Sequence, residues 1–437
     1  MVSRKLVLAV LFLSCLATQA FGQDEGSWVV EGIQFAKLST VGFGGDCDCQ
    51  LVSCPACQKS DAWDDKSLVP LNDGTGSDAG AGPVPIADDY DLIASSYGAT
   101  PGSLSAAPAM IGDFFGGAYT MFLPDLHTGM SQLTQHVNVP LSGGDRRFKV
   151  AENNSPFPVD RYFVSYNRFH NALLTADERQ ANLNRAVFGL EKTFCDGLCS
   201  FEVRVPFSNG LNSVQRFNST ANNVAAEFGN IAFALKKLLY RGPCVSWSAG
   251  LGLVIPTADD SQIFDESNRL LATVENEAFY LQPFVGMLWT PNERMFGQFL
   301  MQFDFDTNGN RVRFNGLAGS PSGVIQDQTL LFLDASFGYW LYRNPCSDGH
   351  ITGIAPMLEI HHTTTLEDSD SFGVTGANGL NLFANPDNRL DVLNITGGVR
   401  VEVHGDRYLT VAAVAPLREG PEHLFDAEVA IQYVGLY

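Results

Sequence analysis

From about residue 160 to its last residue the chain alternates between apolar and polar side chains. In MFGQFLMQFDFD, Met295, Gly297, Phe299, Met301, Phe303 and Phe305 fall on one face, and Gln298, Gln302, Asp304 and Asp306 on the other. DVLNITGGVRVEVH sets Leu393, Ile395, Val399, Val401 and Val403 against Asn394, Thr396, Arg400, Glu402 and His404. VSWSAGLGLVI sets Val245, Trp247, Ala249, Leu251, Leu253 and Ile255 against serines and glycines. A period of two is the signature of strands with unlike faces. The runs read as strands are Arg161–His170, Arg185–Phe194, Ser200–Ser208, Glu227–Tyr240, Val245–Thr257, Phe279–Thr290, Met295–Asp306, Thr329–Tyr342, Gly353–Thr364, Arg389–His404, Arg407–Leu417 and Phe425–Tyr437. Their number is even, about twelve.

A soluble sandwich also alternates. Three features favour a barrel in lipid. Many runs reach about ten residues, the length a tilted spanning strand needs and longer than the usual five or six. Connections alternate in length: short turns at CDGLC, YRGPC, TPNER, NPCSDGH and HGDR, and longer ones at 171–184, 209–226, 258–278, 307–328 and 365–388. Charge sorts with the ends, since Arg241, Arg294, Arg343 and Arg407 sit at short turns while one long loop gathers Asp259, Asp260, Asp265, Glu266, Glu275 and Glu277 against Arg269. The expected fold is all-β: a transmembrane antiparallel up-and-down barrel of about 12 strands over residues 160–437, with a mostly irregular N-terminal extension. In lipid a sheet edge would leave backbone groups unsatisfied at several kcal/mol each, so the last strand is expected to pair with the first. Both ends of the barrel then fall on the short-turn side.

Residues 160–437 resemble a bacterial outer-membrane β-barrel of the porin-like kind. The terminal pattern Tyr433, Gly435, Tyr437 resembles the signal that barrel-assembly machinery reads in such proteins. The stretches APAMIGDFFGG, ENNSPFPVDRYFVSYNRF and NRAVFGLEKTF are similar to predicted outer-membrane proteins of planctomycete-type bacteria. The resemblance implies a bacterial cell outer membrane of the Gram-negative type, with outer-membrane lipid, lipopolysaccharide and the assembly machinery as partners. It brings no assigned substrate or catalytic residue.

MVSRKLVLAVLFLSCLATQAFGQ has a basic start at Arg4 and Lys5, an apolar stretch and small residues, so 1–22 reads as a secretory signal peptide. Lipid attachment at Cys15 is the alternative. Residues 23–110, with NDGTGSDAGAGPVPIADD and SSYGATPGSLSAAPA, read as a Cys-containing periplasmic linker. Residues 111–159 are a plug or a further periplasmic segment, because IGDFFGGAYTMFL is too apolar to stand alone in water; that stretch and DRRFKVA read as short strands. The N-terminal extension and the C-terminus are both expected on the periplasmic side.

Eight cysteines remain beyond Cys15. Cys47, Cys49, Cys54 and Cys57 lie in the linker, and Cys195, Cys199, Cys244 and Cys346 at short turns. An exported chain meets an oxidising compartment, so disulfides are expected, Cys195 with Cys199 among them; a metal site at CDC…CPAC is the rival. DFDTNGN resembles the opening of a calcium loop, which makes Asp304, Asp306 and Asn308 weak Ca2+ candidates, although position twelve is Asn315 rather than Glu. His361 and His362 point to opposite faces of one strand. No nucleophile can be put beside either, so no catalytic residue is named and no enzyme is expected. No cofactor is expected either.

The polar face predicts lumen-lining residues: Glu191, Glu202, Arg204, Lys236, Asp334, Glu359, Arg400, Glu402, Asp426 and Glu428. They either pair among themselves and fill the barrel or line a polar path. The formal net charge of −21 and the lack of a basic aromatic patch argue against nucleic-acid partners. The function these readings predict is passive or facilitated passage of small polar solutes. The alternatives are a plugged, non-conducting barrel that anchors or organises the envelope, and an outer-membrane lipid hydrolase.

Overall fold

The computed structural model describes residues 29–30, 33–34 and 108–437, the last without 114–117, 125–132, 141–147, 175–179, 210–212, 217–225, 243, 266, 345–348, 377–378, 386–388 and 420–421. The signal over 1–22, nearly all of 23–107, and Cys47, Cys49, Cys54, Cys57 and Cys346 lie outside the described residues.

Twelve strands form one closed antiparallel barrel: β1 Arg161–Leu174, β2 Gln180–Phe194, β3 Cys199–Asn209, β4 Ile231–Arg241, β5 Val245–Ile255, β6 Tyr280–Trp289, β7 Met295–Asp306, β8 Thr329–Tyr339, β9 Ile351–Glu367, β10 Asp391–Val403, β11 Arg407–Pro416 and β12 Ala427–Leu436. Each pairs with its neighbour in sequence. The seam closes in continuous register from Ala427↔His170 to Leu436↔Arg161. Closure removes both sheet edges. The first long connection is shorter than expected. Most of 171–184 is strand, because β1 and β2 run past the rim as one hairpin.

The faces are inverted relative to a soluble protein. On β12, Val429 and Ile431 are exposed while Glu428, Ala430 and Gln432 are buried. On β9, Leu358 and Ile360 are exposed while Glu359 and His361 are buried. An apolar outside and a polar inside is the pattern of a barrel wall set in lipid. Cross-strand glycines admit inward rings: a Cβ on Gly250 would lie 2.2 Å from the Phe284 ring. That ring occupies the room a side chain would need.

Residues 108–113 and 148–160 run inside the ring. Pro108 bonds near the short-turn end of β7 through Gln298. Ile111 bonds mid-height on β9 and β12, at Glu359 and Gln432. Asp113 bonds nearer the long-connection end of β10, at Asn394. The return passes Gln302 at Phe148 and reaches Thr193, at the short-turn end of β2, at Asp160. One piece ascends, the other descends, and a bridge between Met110 and Asn154 joins them. Among its described residues IGDFFGGAYTMFL has no strand at 111–113 and is strand from Ala118, and the DRRFKVA stretch has no strand among its described residues, 148–151.

Between the two pieces the chain surfaces at the long-connection end. There Ala118–Pro124 and Leu133–Pro140 form a four-stranded sheet with Phe372–Gly376 and Gly379–Ala384. The other long connections contribute a five-stranded sheet of Val214–Arg216, Ser261–Phe264, Leu270–Glu275, Asn310–Arg313 and Ser322–Ile325. Met121, Phe383, Ile263, Leu271, Val274, Val312, Phe314 and Ile325 make a hydrophobic core between them. The long connections, read as loops from the sequence, thus build a small sandwich over one mouth of the barrel.

Candidate functional site

The candidate site is the lumen and its filling. Arg161 opens β1 and points inward. Its Nε donates to Glu191 Oε2 at 2.7 Å, and its Nη2 to Glu202 Oε2 at 2.7 Å and to Asn154 Oδ1 at 2.7 Å. Lys236 donates to Glu191 Oε1 at 2.9 Å and to Asn154 Oδ1 at 3.0 Å. Arg204 pairs with Glu202 and donates to the Glu152 carbonyl at 2.8 Å. Arg185 pairs with the Glu152 carboxylate. All of these side chains are buried. Burying an ion costs several kcal/mol, which only close opposite charges and further hydrogen bonds repay. Here the partners come from both the wall and the threaded segment.

Higher in the lumen, Glu359 accepts from Ile111 N at 2.9 Å, Gly112 N at 2.9 Å and Ser336 Oγ at 2.9 Å. Gly112 has φ +82, and a Cβ there would lie 2.5 Å from Glu152 Cα. The close approach of the two pieces therefore requires glycine. Lys149 pairs with Asp113 and lies 2.8 Å from Asp334 Oδ1. His361 Nδ1 is 2.8 Å from the same oxygen. Val150 N donates to Gln302 Oε1 at 2.7 Å. Counting all contacts, the segment makes hydrogen bonds or ion pairs to β1, β2, β3, β4, β7, β8, β9, β10 and β12. Apolar packing of Phe148, Val150 and Ile111 reaches β5, β6 and β11. Among the cavities between segment and wall, one of about 50 Å³ is bounded by Phe157, Arg161, Arg400 and Tyr408 and another measures about 10 Å³.

Of the expected lining residues, Glu191, Glu202, Arg204, Lys236, Asp334, Glu359, Arg400, Glu402 and Glu428 are buried on the inner face. Arg400 donates to Thr410 Oγ1 at 2.7 Å, and Glu428 accepts from Asn167 at 2.6 Å. Asp426 is a correction. It precedes β12, is 45% exposed, and bonds Asn171 and His423 at the rim. The strand begins at Ala427, two residues later than the alternation suggested, so Asp426 never joins the inner face. The calcium candidates Asp304, Asp306 and Asn308 each accept hydrogen bonds from protein donors. Asp306 accepts from the backbone of Asn308, Gly309 and Asp327. Asn308 Oδ1 accepts from Phe279 N, and Asp304 from Gln282. These oxygens hold a turn.

His361 faces the lumen, and His362 faces outward and pairs with Asp391. The expected Cys195–Cys199 disulfide is a correction: both are free thiols, in contact across the β2–β3 turn, and Cys244 is buried in the β4–β5 turn. Tyr433 and Tyr437 flank Tyr162 at ring distances of 6.1 and 6.5 Å, with the Tyr162 ring against Gly435. Sequence reasoning missed Asp113, Lys149, Glu152 and Arg161. A charged run, DRRFKVAEN, marked the stretch that holds Lys149 and Glu152 but not which way they point.

No protein-family model and no curated protein matches the sequence. Similar solved structures include an outer-membrane channel from Pseudomonas putida F1, at 11% identity, 64% of this chain, 96% of that chain and TM-score 0.41. The NanC porin matches at 6% identity, 63% of this chain, 99% of that chain and TM-score 0.37. The Pseudomonas putida toluene transporter TodX matches at 8% identity, 75% of this chain, 98% of that chain and TM-score 0.33.

Proposed function

We propose that the chain is an outer-membrane channel for small polar solutes, held shut at rest by its own threaded segment. Lipid is the solvent that makes sense of Leu190, Leu235, Leu358, Val411 and Val429, each exposed on the outside of a closed barrel. The single observation that carries the resting closure is the hydrogen bonding of residues 108–113 and 148–160 to nine strands around the ring. The inner wall behind the segment carries charged and amide side chains such as Glu202, Gln302, Glu359 and Arg400 among buried rings and aliphatics such as Phe284 and Leu300, and those polar groups suit polar solutes. The Tyr433–Gly435–Tyr437 end is proposed as the assembly signal, and the segment before residue 108 as periplasmic.

The test is single-channel recording in planar bilayers. The full chain is expected to stay closed for long periods. Glu359→Ala removes the acceptor of two segment N–H groups and is expected to raise the open fraction at least tenfold. The filled lumen also favours a second reading, a non-conducting barrel that organises the envelope. No conductance from the full chain, from Glu359→Ala or from a chain lacking 23–159 would select it.

A further inference from the structure

The channel reading leaves the solute's chemistry open, and one contact inside the lumen speaks to it. Lys149 belongs to the threaded segment and pairs with Asp113 of that segment, and the wall also receives its ammonium. Its Nζ lies 2.8 Å from Asp334 Oδ1 and 5.4 Å from the centre of the Phe332 ring. Phe332 and Asp334 are two apart on β8, so they share the inner face. His361, opposite Asp334 in the β8–β9 register, sits 2.8 Å from the same carboxylate oxygen and orients it. A carboxylate beside an aromatic face is the chemistry that recognises an organic ammonium ion. Asp334 Oδ2, buried, has no hydrogen-bond partner, which leaves the carboxylate with acceptor capacity.

We infer that Asp334, Phe332 and His361 form an ammonium site on the inner wall, occupied at rest by Lys149, and that the solutes of the channel are amine-bearing cations. The inference rests on the channel reading. When the segment moves, Asp113 leaves with Lys149, while Asp334 and Glu359 remain on the wall. The site then keeps its negative character and loses its resident cation. The segment acts as a tethered competitor, holding with a lysine the place a solute would take. The trio Asp113, Asp334 and His361 also has the donor set of a metal site. The choice for an ammonium follows from Phe332, which offers a ring face and no ligand atom, and from the occupant already seated there.

The experiment uses the full chain with Lys149→Ala, in detergent with a chelator present. Its unfolding temperature is read from heat-dependent gel mobility. The substitution removes a propylammonium's worth of atoms, so n-propylammonium chloride is the probe. n-Propanol and sodium chloride are the controls. Lys149→Ala is expected to unfold at a lower temperature and to regain at least half of the loss with propylammonium alone. The double variant Lys149→Ala with Asp334→Asn is expected to regain none. Should Lys149→Ala give no folded barrel, refolding yield with and without propylammonium is the readout, and Lys149→Gln repeats the comparison. Equal rescue by propanol, an equal shift in the unsubstituted protein, or no propylammonium dependence in either variant overturns the site. A barrel that responds to propylammonium yet conducts in no variant loses the channel and keeps the site.

Discussion

Arg161 and Glu191, side by side on β1 and β2, form a wholly buried ion pair with Nε 2.7 Å from Oε2. Glu202 and Lys236 extend it, so one network ties the first four strands together and holds Asn154 of the threaded segment. Removing the guanidinium takes the shared cation from two buried carboxylates, leaving Glu191 with Lys236 and Glu202 with Arg204 alone. Arg161→Gln is expected to cost about 3–5 kcal/mol, the usual penalty for breaking a buried pair. Arg161→Lys keeps the charge but cannot span both acids, and should fall between. Heat-dependent gel mobility or urea unfolding in micelles measures both. A loss below about 1 kcal/mol for Arg161→Gln would mean the network is hydrated rather than buried.

Gly112 gives a more local test. Its φ of +82 and the 2.5 Å approach to Glu152 Cα leave no room for a methyl group. Gly112→Ala is expected to lose about 1–2 kcal/mol from the left-handed backbone alone, and more from the clash. The loss should fall on the seating of the segment: a cysteine at position 111 becomes accessible to a thiol reagent while the barrel still shifts on heating. Unchanged labelling would show that the segment adapts without leaving the wall.

The barrel was legible because lipid and closure together impose a strict period. Every strand expected after residue 160 exists, and Met295–Asp306 has the expected bounds. Errors fall where the period loses its meaning. Asp426 continues the alternation but lies beyond the last paired residue. Short strands such as Leu270–Glu275 and Asn310–Arg313 carry too few alternations to separate them from loop. Their core exists only once three long connections and Met121 meet. The lumen charges on the wall were legible as a face. Their partners Lys149 and Glu152 were not, since no strand pattern says which way an irregular segment points.

The outer wall gives a prediction that separates lipid contact from mere exposure. Leu358 sits mid-height on β9 and Val324 on the loop-built sandwich, at 52% and 51% exposure. Leu358→Arg should destabilise the barrel in a bilayer by about 2–4 kcal/mol, the cost of a guanidinium at membrane depth. Val324→Arg should change stability by less than about 0.5 kcal/mol, as surface changes do. Equal effects in liposome-based unfolding would mean that Leu358 does not face acyl chains.

Phe383 is wholly buried in the sandwich between the two extramembrane sheets. Phe383→Ala should cost that unit about 3–5 kcal/mol. The twelve-strand wall shares none of this core, so its heat-dependent mobility should be unchanged. Limited proteolysis is expected to cut within 258–278 and 365–388 of the variant before the parent. A parallel fall in barrel stability would show that cap and wall unfold as one unit.

Asp160 supplies a pH test outside the spanning strands. Burial pushes its carboxyl up, but Thr193 N at 2.6 Å, the Lys192 ammonium at 3.0 Å and Thr193 Oγ1 at 2.9 Å outweigh that and hold it below the ordinary 3.8. A carboxyl whose folded value is lowered adds stability above its unfolded value, and that stability is lost as pH falls through the folded one. The contribution is therefore whole at pH 7 and fades below about pH 4. Asp160→Asn should be less stable than the parent by about 1 kcal/mol at pH 7, a charged hydrogen bond discounted for partial exposure. The two should converge as pH drops toward 3. Urea unfolding at pH 7, 5, 4 and 3 reads the gap, and a gap that stays constant down to pH 3 rules out Asp160 as its source.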